Sequence, residues 1–275
     1  MKEPTNILIA NRGEIAVRVA RAAISLGFNP ISVFSPADSD ALHTKISSLS
    51  IELTSHKDDP VKAYLDINQL VEIAVEQRCQ FVHPGYGFLS ENAGFALRCK
   101  ERGVTFIGPS AEVLGLFGDK IRARQLAQSL SIPTVPGTRT AVKSVSEAKK
   151  QAKDIGYPVM LKASSGGGGR GMRAVKTDAD MKESFERCSS EAKSAFGDAS
   201  VFLEKLIERP RHIEIQILAD NQGNIVHLFE RDCSIQERHQ KVVEIAPAPN
   251  LDRNLLNKLY DDSVKLASQA GYTNA

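Results

Sequence analysis

The 275-residue sequence has no apolar run near the ~20 residues that a bilayer-spanning helix needs, so a membrane role is set aside. It is sparing with cysteine. Cys79, Cys99, Cys188 and Cys233 are scattered without a C-x-x-C pair, which disfavours a zinc ribbon or a disulfide framework and predicts reduced thiols. An excess of one charge is also missing. The 35 basic residues face 33 acidic ones, a net charge of +2 that offers no basic face for nucleic acid. The start, Met1-Lys-Glu-Pro4, lacks the apolar stretch of a secretory signal, and a cytoplasmic protein is expected. Two phosphate-binding fingerprints are absent: Gly-x4-Gly-Lys-Ser/Thr occurs nowhere, and Asn11-Arg-Gly-Glu14 is not Gly-x-Gly-x-x-Gly. No internal repeat is found, and no metal-ligand set is predicted within the chain.

What the sequence does have is a glycine run in an unusual place. Lys162-Ala-Ser-Ser-Gly-Gly-Gly-Gly-Arg-Gly-Met172 lies between Val159–Ala163 and Met172–Val175, which both read as strands. Gly166, Gly167, Gly168, Gly169 and Gly171 remove nearly every Cβ from the connection, so its backbone can lie close against a ligand. Consecutive N–H groups in such a loop form an anion-binding concavity, and Lys162, Arg170 and Arg173 add positive charge. A linker would have Ser or Pro tracts as flanks; strands on both sides instead predict a hairpin flap that closes over a polyphosphate and excludes water.

Composition (42% hydrophobic, 25% charged) is that of a globular enzyme, and the length suits two domains. Residues 1–118 alternate strand and helix: Ile7–Ala10, Glu14–Leu26, Ile31–Phe34, Ile67–Gln77, Gln80–Val82, Asn92–Arg102 and Thr105–Ile107. That alternation predicts a parallel, doubly wound sheet whose ligand-facing loops, Asn11–Glu14 and His83–Asn92, lie at the C-terminal strand ends. Gly118-Asp-Lys120 opens a helix to about Leu130, and Ile132-Pro-Thr-Val-Pro-Gly137 stops it. A small α+β module with a helix over Asp178–Ser194 carries the flap. From Val201 the pattern turns antiparallel. His212–Asp220 and Asn224–Asp232 flank the hairpin turn Asn221-Gln-Gly223. Ile213, Ile215 and Ile217 are expected on a buried face, opposite His212, Glu214 and Gln216. The run Gln236-Glu-Arg-His-Gln-Lys241 is too polar for a core.

Seven motifs stand in register: Asn11-Arg-Gly-Glu-Ile-Ala16, His83-Pro-Gly-Tyr-Gly-Phe-Leu-Ser-Glu-Asn92, Gly118-Asp-Lys120, Tyr157-Pro-Val-Met-Leu-Lys162 with its glycines, Glu204-Lys205, Pro210-Arg-His-Ile-Glu-Ile-Gln216 and Arg238-His-Gln-Lys241. Together they resemble the N-terminal part of biotin carboxylase, an ATP-grasp enzyme, over the whole chain from about Asn6. The resemblance implies a Rossmann-like pre-ATP-grasp domain with a parallel sheet (1–118). An incomplete α+β ATP-grasp domain follows (119–275), with a glycine-rich lid at about 133–203. It implies a ligase that uses ATP, Mg2+ and bicarbonate to carboxylate biotin through carboxyphosphate. The biotin is borne by a carboxyl carrier protein or domain, and a carboxyltransferase acts next. Homodimers are common in the family.

By the same resemblance, Lys120 and Lys162 hold ATP phosphates beneath Gly166–Gly169, Gly171 and Met172. Glu204, Lys205 and Leu206 form the hinge that receives adenine. His212, Gln236 and His239 surround the nucleotide, and Lys241 helps hold bicarbonate, with His212 and His239 beside it as catalytic positions. Tyr86 and its loop line the biotin end. Glu237 stands where the family commonly has arginine, which weakens the local positive charge. The chain stops at Ala275, short of the positions where the family's magnesium-binding acids, general base and bicarbonate and biotin arginines follow. The Mg2+ ligands are thus expected mostly beyond Ala275, and the isolated chain is expected to turn over negligibly. Two alternatives stay open: another ATP-grasp ligase, and a non-catalytic nucleotide-binding or assembly module.

Overall fold

A computed structural model describes residues 5–56, 58–165, 171–237 and 240–274, with the backbone alone at Phe196. Its contacts divide the chain into two units, 1–115 with 272–275, and 116–271. The first runs β1 (Asn6–Ile9), α1 (Gly13–Ser25), β2 (Asn29–Phe34), α2 (Leu42–Ile46), β3 (Leu49–Glu52), α3 (Pro60–Ala63), α4 (Ile67–Glu76), β4 (Phe81–His83), α5 (Ala93–Glu101), β5 (Thr105–Phe106) and the start of α6 (Ala111–Gly118). All five strands pair in parallel, in the order β3-β2-β1-β4-β5. Central strands buried on both faces need continuous apolar runs, which Ile7, Leu8, Ile9, Ile31, Val33 and Val82 supply. The core closes over them with Leu70, Val71, Phe95 and Cys99 from the helices.

At the C-terminal strand ends the two expected loops meet. Asn11 Nδ2 donates to the carbonyls of Pro84 (2.8 Å) and Tyr86 (3.0 Å). Gly85 has φ +67°, and a Cβ there would sit 2.5 Å from Asn11 Nδ2, so the contact demands glycine. Beside it Asp38, its side chain 9% exposed, takes hydrogen bonds from Arg12 Nε (2.6 Å), Tyr64 Oη (2.7 Å) and Ser35 Oγ (3.3 Å).

The second unit runs α7 (Lys120–Ser129), α8 (Val145–Ile155), β6 (Val159–Ala163), β7 (Met172–Val175), α9 (Met181–Phe196), β8 (Val201–Lys205), β9 (Ile213–Ala219), β10 (Ile225–Glu237), β11 (Gln240–Ile245) and α10 (Arg253–Gln269). It holds two antiparallel sheets, β7-β6-β8 and β11-β10-β9. The first sheet buries Val159, Leu161, Val175, Val201 and Leu203 against Ala148 and Ala152 of α8 and Met181 and Cys188 of α9. β6 and β7 are thus the paired arms of the expected hairpin, with Lys162 opposite Met172.

Three expectations change. Helices α2, α3, α6, α8 and α10 and strands β3 and β11 are additional. In α8 the core-facing residues are alanines among lysines, a weak apolar signal, and β3 is a four-residue edge strand with a half-polar face. β10 continues through the polar run to Glu237 rather than stopping at Asp232. Along β9 the predicted alternation is blurred, because Ile213 to Ile217 are all half-buried; ion pairs cover the polar face as fully as packing covers the other.

Candidate functional site

One set of side chains gathers at the root of the hairpin. Asp119 caps α7, accepting from Ile121 N (2.9 Å) and Arg122 N (3.2 Å), which sets Lys120 at the helix start. The Lys120 amide then donates to Ser164 O (3.1 Å) and its Nζ to Ala163 O (3.3 Å), at the end of β6. Burial lowers the Lys120 pKa, the charge of Lys162 lowers it further, and Glu204 partly offsets both. Lys162 points across β6 to Glu204 on β8, Nζ to Oε2, 2.5 Å. The other Glu204 oxygen accepts from Arg124 Nη1 at 3.0 Å. Two cations therefore pair with one carboxylate while Lys120 stands in the same field, an excess of positive charge suited to an anion. The buried Ser164 Oγ, next to the glycines, has no partner among the described residues.

The neighbouring backbone explains why Gly137 is glycine. It bridges to Glu204, and a Cβ there would stand 2.5 Å from Leu203 O and 3.0 Å from Arg124 Nη2. Backbone cannot yield as a side-chain tip can. Gly137→Ala is expected to cost about 1–3 kcal/mol, read as a lower denaturant midpoint, whereas Gly118→Ala, whose Cβ meets open space and whose φ is not positive, is expected to move it far less.

The residues expected at the hinge make contacts of their own. Lys205 Nζ donates to Gly156 O (2.8 Å) and Tyr157 O (2.9 Å), where it caps the C-terminal end of α8. The amides of Lys205 and Leu206 bond Pro136 O (2.7 Å) and Pro158 O (3.1 Å). Gly171, at φ +64°, accepts at its carbonyl from Ala163 N (2.8 Å) and Cys188 Sγ (3.1 Å), which roots the second arm of the hairpin.

A second set gathers on the other sheet around Glu214. Its Oε1 meets His212 Nε2 at 3.1 Å and Lys241 Nζ, and its Oε2 meets Arg231 Nη2 at 3.3 Å. Arg231 also donates to Glu244 (2.7 Å), and Gln236 Nε2 lies 2.8 Å from His212 Nδ1. Burial alone would raise the Glu214 pKa; the Lys241 hydrogen bond and charge, then His212 and Arg231, outweigh it and leave it below the ordinary range. Glu214 remains ionised and holds its cations in place.

The structure thus joins Lys120, Lys162 and Glu204 in one set and His212, Gln236 and Lys241 in another. Gly166–Gly169 and His239 lie outside the described residues. Arg124 and Arg231 were missed by the sequence reading. For Arg124 a signal existed, since it follows Lys120 by four residues and so shares its helix face. Among the described residues, no cluster of three or more His, Cys, Asp or Glu is placed to hold a metal ion.

Comparison with known proteins now decides the family. Residues 119–275 match the carbamoyl-phosphate synthase L chain, ATP binding domain, and residues 3–114 match the biotin carboxylase, N-terminal domain. The chain belongs to the biotin carboxylase family. Within that family it is 47% identical over 269 residues to pyruvate carboxylase of Bacillus subtilis and 50% identical over 269 residues to the mitochondrial pyruvate carboxylase of Homo sapiens. Either match takes in 98% of this chain but 23% of the relative, so the chain spans about a quarter of those proteins. The biotin carboxylase domain dimer of Hydrogenobacter thermophilus 2-oxoglutarate carboxylase, in complex with MgADP, ADP and bicarbonate, superposes with a TM-score of 0.95 at 44% identity; the match covers 99% of this chain and 60% of that one. A Campylobacter jejuni biotin carboxylase–beta-gamma-ATP complex gives 0.93 at 44% identity, over 98% and 60%.

Proposed function

We propose that this chain is the nucleotide-binding portion of a biotin carboxylase, which uses ATP and bicarbonate to carboxylate biotin on a carrier protein or domain. The observation that carries the reading is the pairing of Lys162 and Arg124 with one carboxylate, Glu204, beside Lys120 on Ala163 O at the root of a glycine hairpin. Triphosphate binding there would let Lys162 and Lys120 neutralise phosphate oxygens as point charges, while the hairpin excludes water. Bicarbonate then attacks the γ-phosphate and ADP leaves; the carboxyphosphate splits into CO2 and phosphate, the phosphate takes the ureido proton of biotin, and the ureido nitrogen bonds the CO2 carbon. Exclusion of water matters because carboxyphosphate otherwise decomposes unproductively. Lys241, oriented by Glu214, is assigned to bicarbonate, and His212 with Gln236 to the nucleotide's polar edge. Magnesium partners ATP in such chemistry, and among the described residues no cluster of acids is placed to hold it. A carboxyltransferase as the consuming partner belongs to the same proposal, as does a cytosol-like compartment, which fits four buried, free cysteines.

The test is bicarbonate-dependent ATP cleavage by the full-length protein, with and without free biotin. Stimulation by biotin is expected. Cleavage that ignores biotin but depends on ammonia would instead support a carbamoyl-phosphate type of ligase.

A further inference from the structure

We propose that Arg124 serves as a reserve counter-ion for Glu204, and that this allows Lys162 to leave Glu204 for a polyphosphate. The inference rests on reading this cluster as the nucleotide site.

The Glu204 carboxylate is 12% exposed, and each of its oxygens has one cation: Arg124 on Oε1 at 3.0 Å, Lys162 on Oε2 at 2.5 Å. A carboxylate so enclosed cannot lose all its partners without a large desolvation cost. The two cations differ in freedom. Lys162 is 27% exposed, on a flexible stem, at the end of the strand that leads into the glycines. Arg124 is 12% exposed and fixed, its Nη2 donating to Val135 O at 2.8 Å. Its seat is shaped by Gly137, where a Cβ would stand 3.0 Å from Nη2.

When a phosphate draws Lys162 away, Glu204 keeps the planar, charge-assisted bond from Arg124. Without Arg124, Lys162 would be the sole cation of an enclosed carboxylate, and transferring it would leave that negative charge unpaired beside an incoming polyanion. Arg124 thus acts through Glu204 on Lys162. It is a positioning residue, not a catalytic one.

The test is a double-mutant cycle in the full-length protein, read as KM for ATP, kcat and thermal midpoint. Arg124→Met is expected to raise KM for ATP about 10- to 100-fold, the range for directly coupled neighbours, with kcat at saturating ATP changed far less. In the Glu204→Gln background no carboxylate can be stranded, and Arg124→Met is expected to change KM by less than about twofold. Arg124→Lys, which keeps the charge but loses the fork, is expected to fall between. An equal rise in KM in both backgrounds, or a fall in kcat and stability with KM unmoved, overturns the inference. If Arg124→Met does not fold, Arg124→Lys decides, and an unchanged KM overturns it. Failure of the parent protein to bind ATP at all would overturn the nucleotide reading and this inference with it; the other outcomes overturn only the inference.

Discussion

Replacing Lys162 by Gln is expected to lower kcat/KM for bicarbonate-dependent ATP cleavage by about 10²–10³ in the full-length protein, the usual loss when one fixed donor to a developing anion is removed. The effect is placed at Lys162 because of its surroundings. It stands next to last in β6, bonds Glu204 at 2.5 Å and shares its field with Lys120, whose pKa burial and Lys162 together depress. Lys120 is already engaged with Ala163 O, so it cannot simply take over. Lys162→Arg should restore little, since a planar fork does not replace a compact ammonium in that space. Steady-state kinetics with ATP varied checks this, and activity within threefold of the parent would contradict it.

The second large effect lies in the first unit and concerns stability. Asp38→Ala removes a carboxylate that satisfies Arg12, Tyr64 and Ser35 together. The Arg12 side chain is 46% exposed and can rehydrate, but the buried Tyr64 hydroxyl loses its acceptor. A cost of about 2–4 kcal/mol is expected. The pH dependence follows from the same contacts. The Arg12 hydrogen bond holds the Asp38 pKa at about 2, despite burial that would raise it, with Tyr64 assisting. An unfolded aspartate titrates near ~3.9, so the unfolded state takes up a proton first as pH falls. The contribution, of order 2–3 kcal/mol, is complete above about pH 4 and fades as pH drops toward 2. Hydrogen exchange at β1 and β2 amides should show parent and variant far apart at pH 7 and converging below pH 4. Equal protection at pH 7 would contradict the account.

Local signals carried much of this structure. The strand–glycine–strand pattern located β6 and β7, and the cap-forming Asp119 located Lys120, because adjacent residues decide both. What stayed hidden depends on contacts far apart in the chain. Arg124 and Glu204 are separated by 80 positions, and no periodicity marks such a pair. The bond from the Lys205 ammonium to the end of α8 was equally hidden, because the alanine-lined core face of that helix gives no apolar stripe. Arg231 lies within its expected strand, but its partners Glu214 and Gln216 on β9 and Glu244 on β11 meet it only once the three strands pair.

The central claim is that a nucleotide's phosphates lie between the hairpin root and the Lys120–Lys162 pair. A crystal structure of the full-length protein with a slowly hydrolysed ATP analogue tests it most directly. The account predicts phosphate oxygens within hydrogen-bond distance of Lys120 Nζ and Lys162 Nζ, with Lys162 moved off Glu204 and Arg124 still on it. Phosphates bound away from both lysines, or Lys162 still paired with Glu204 in the complex, would contradict it.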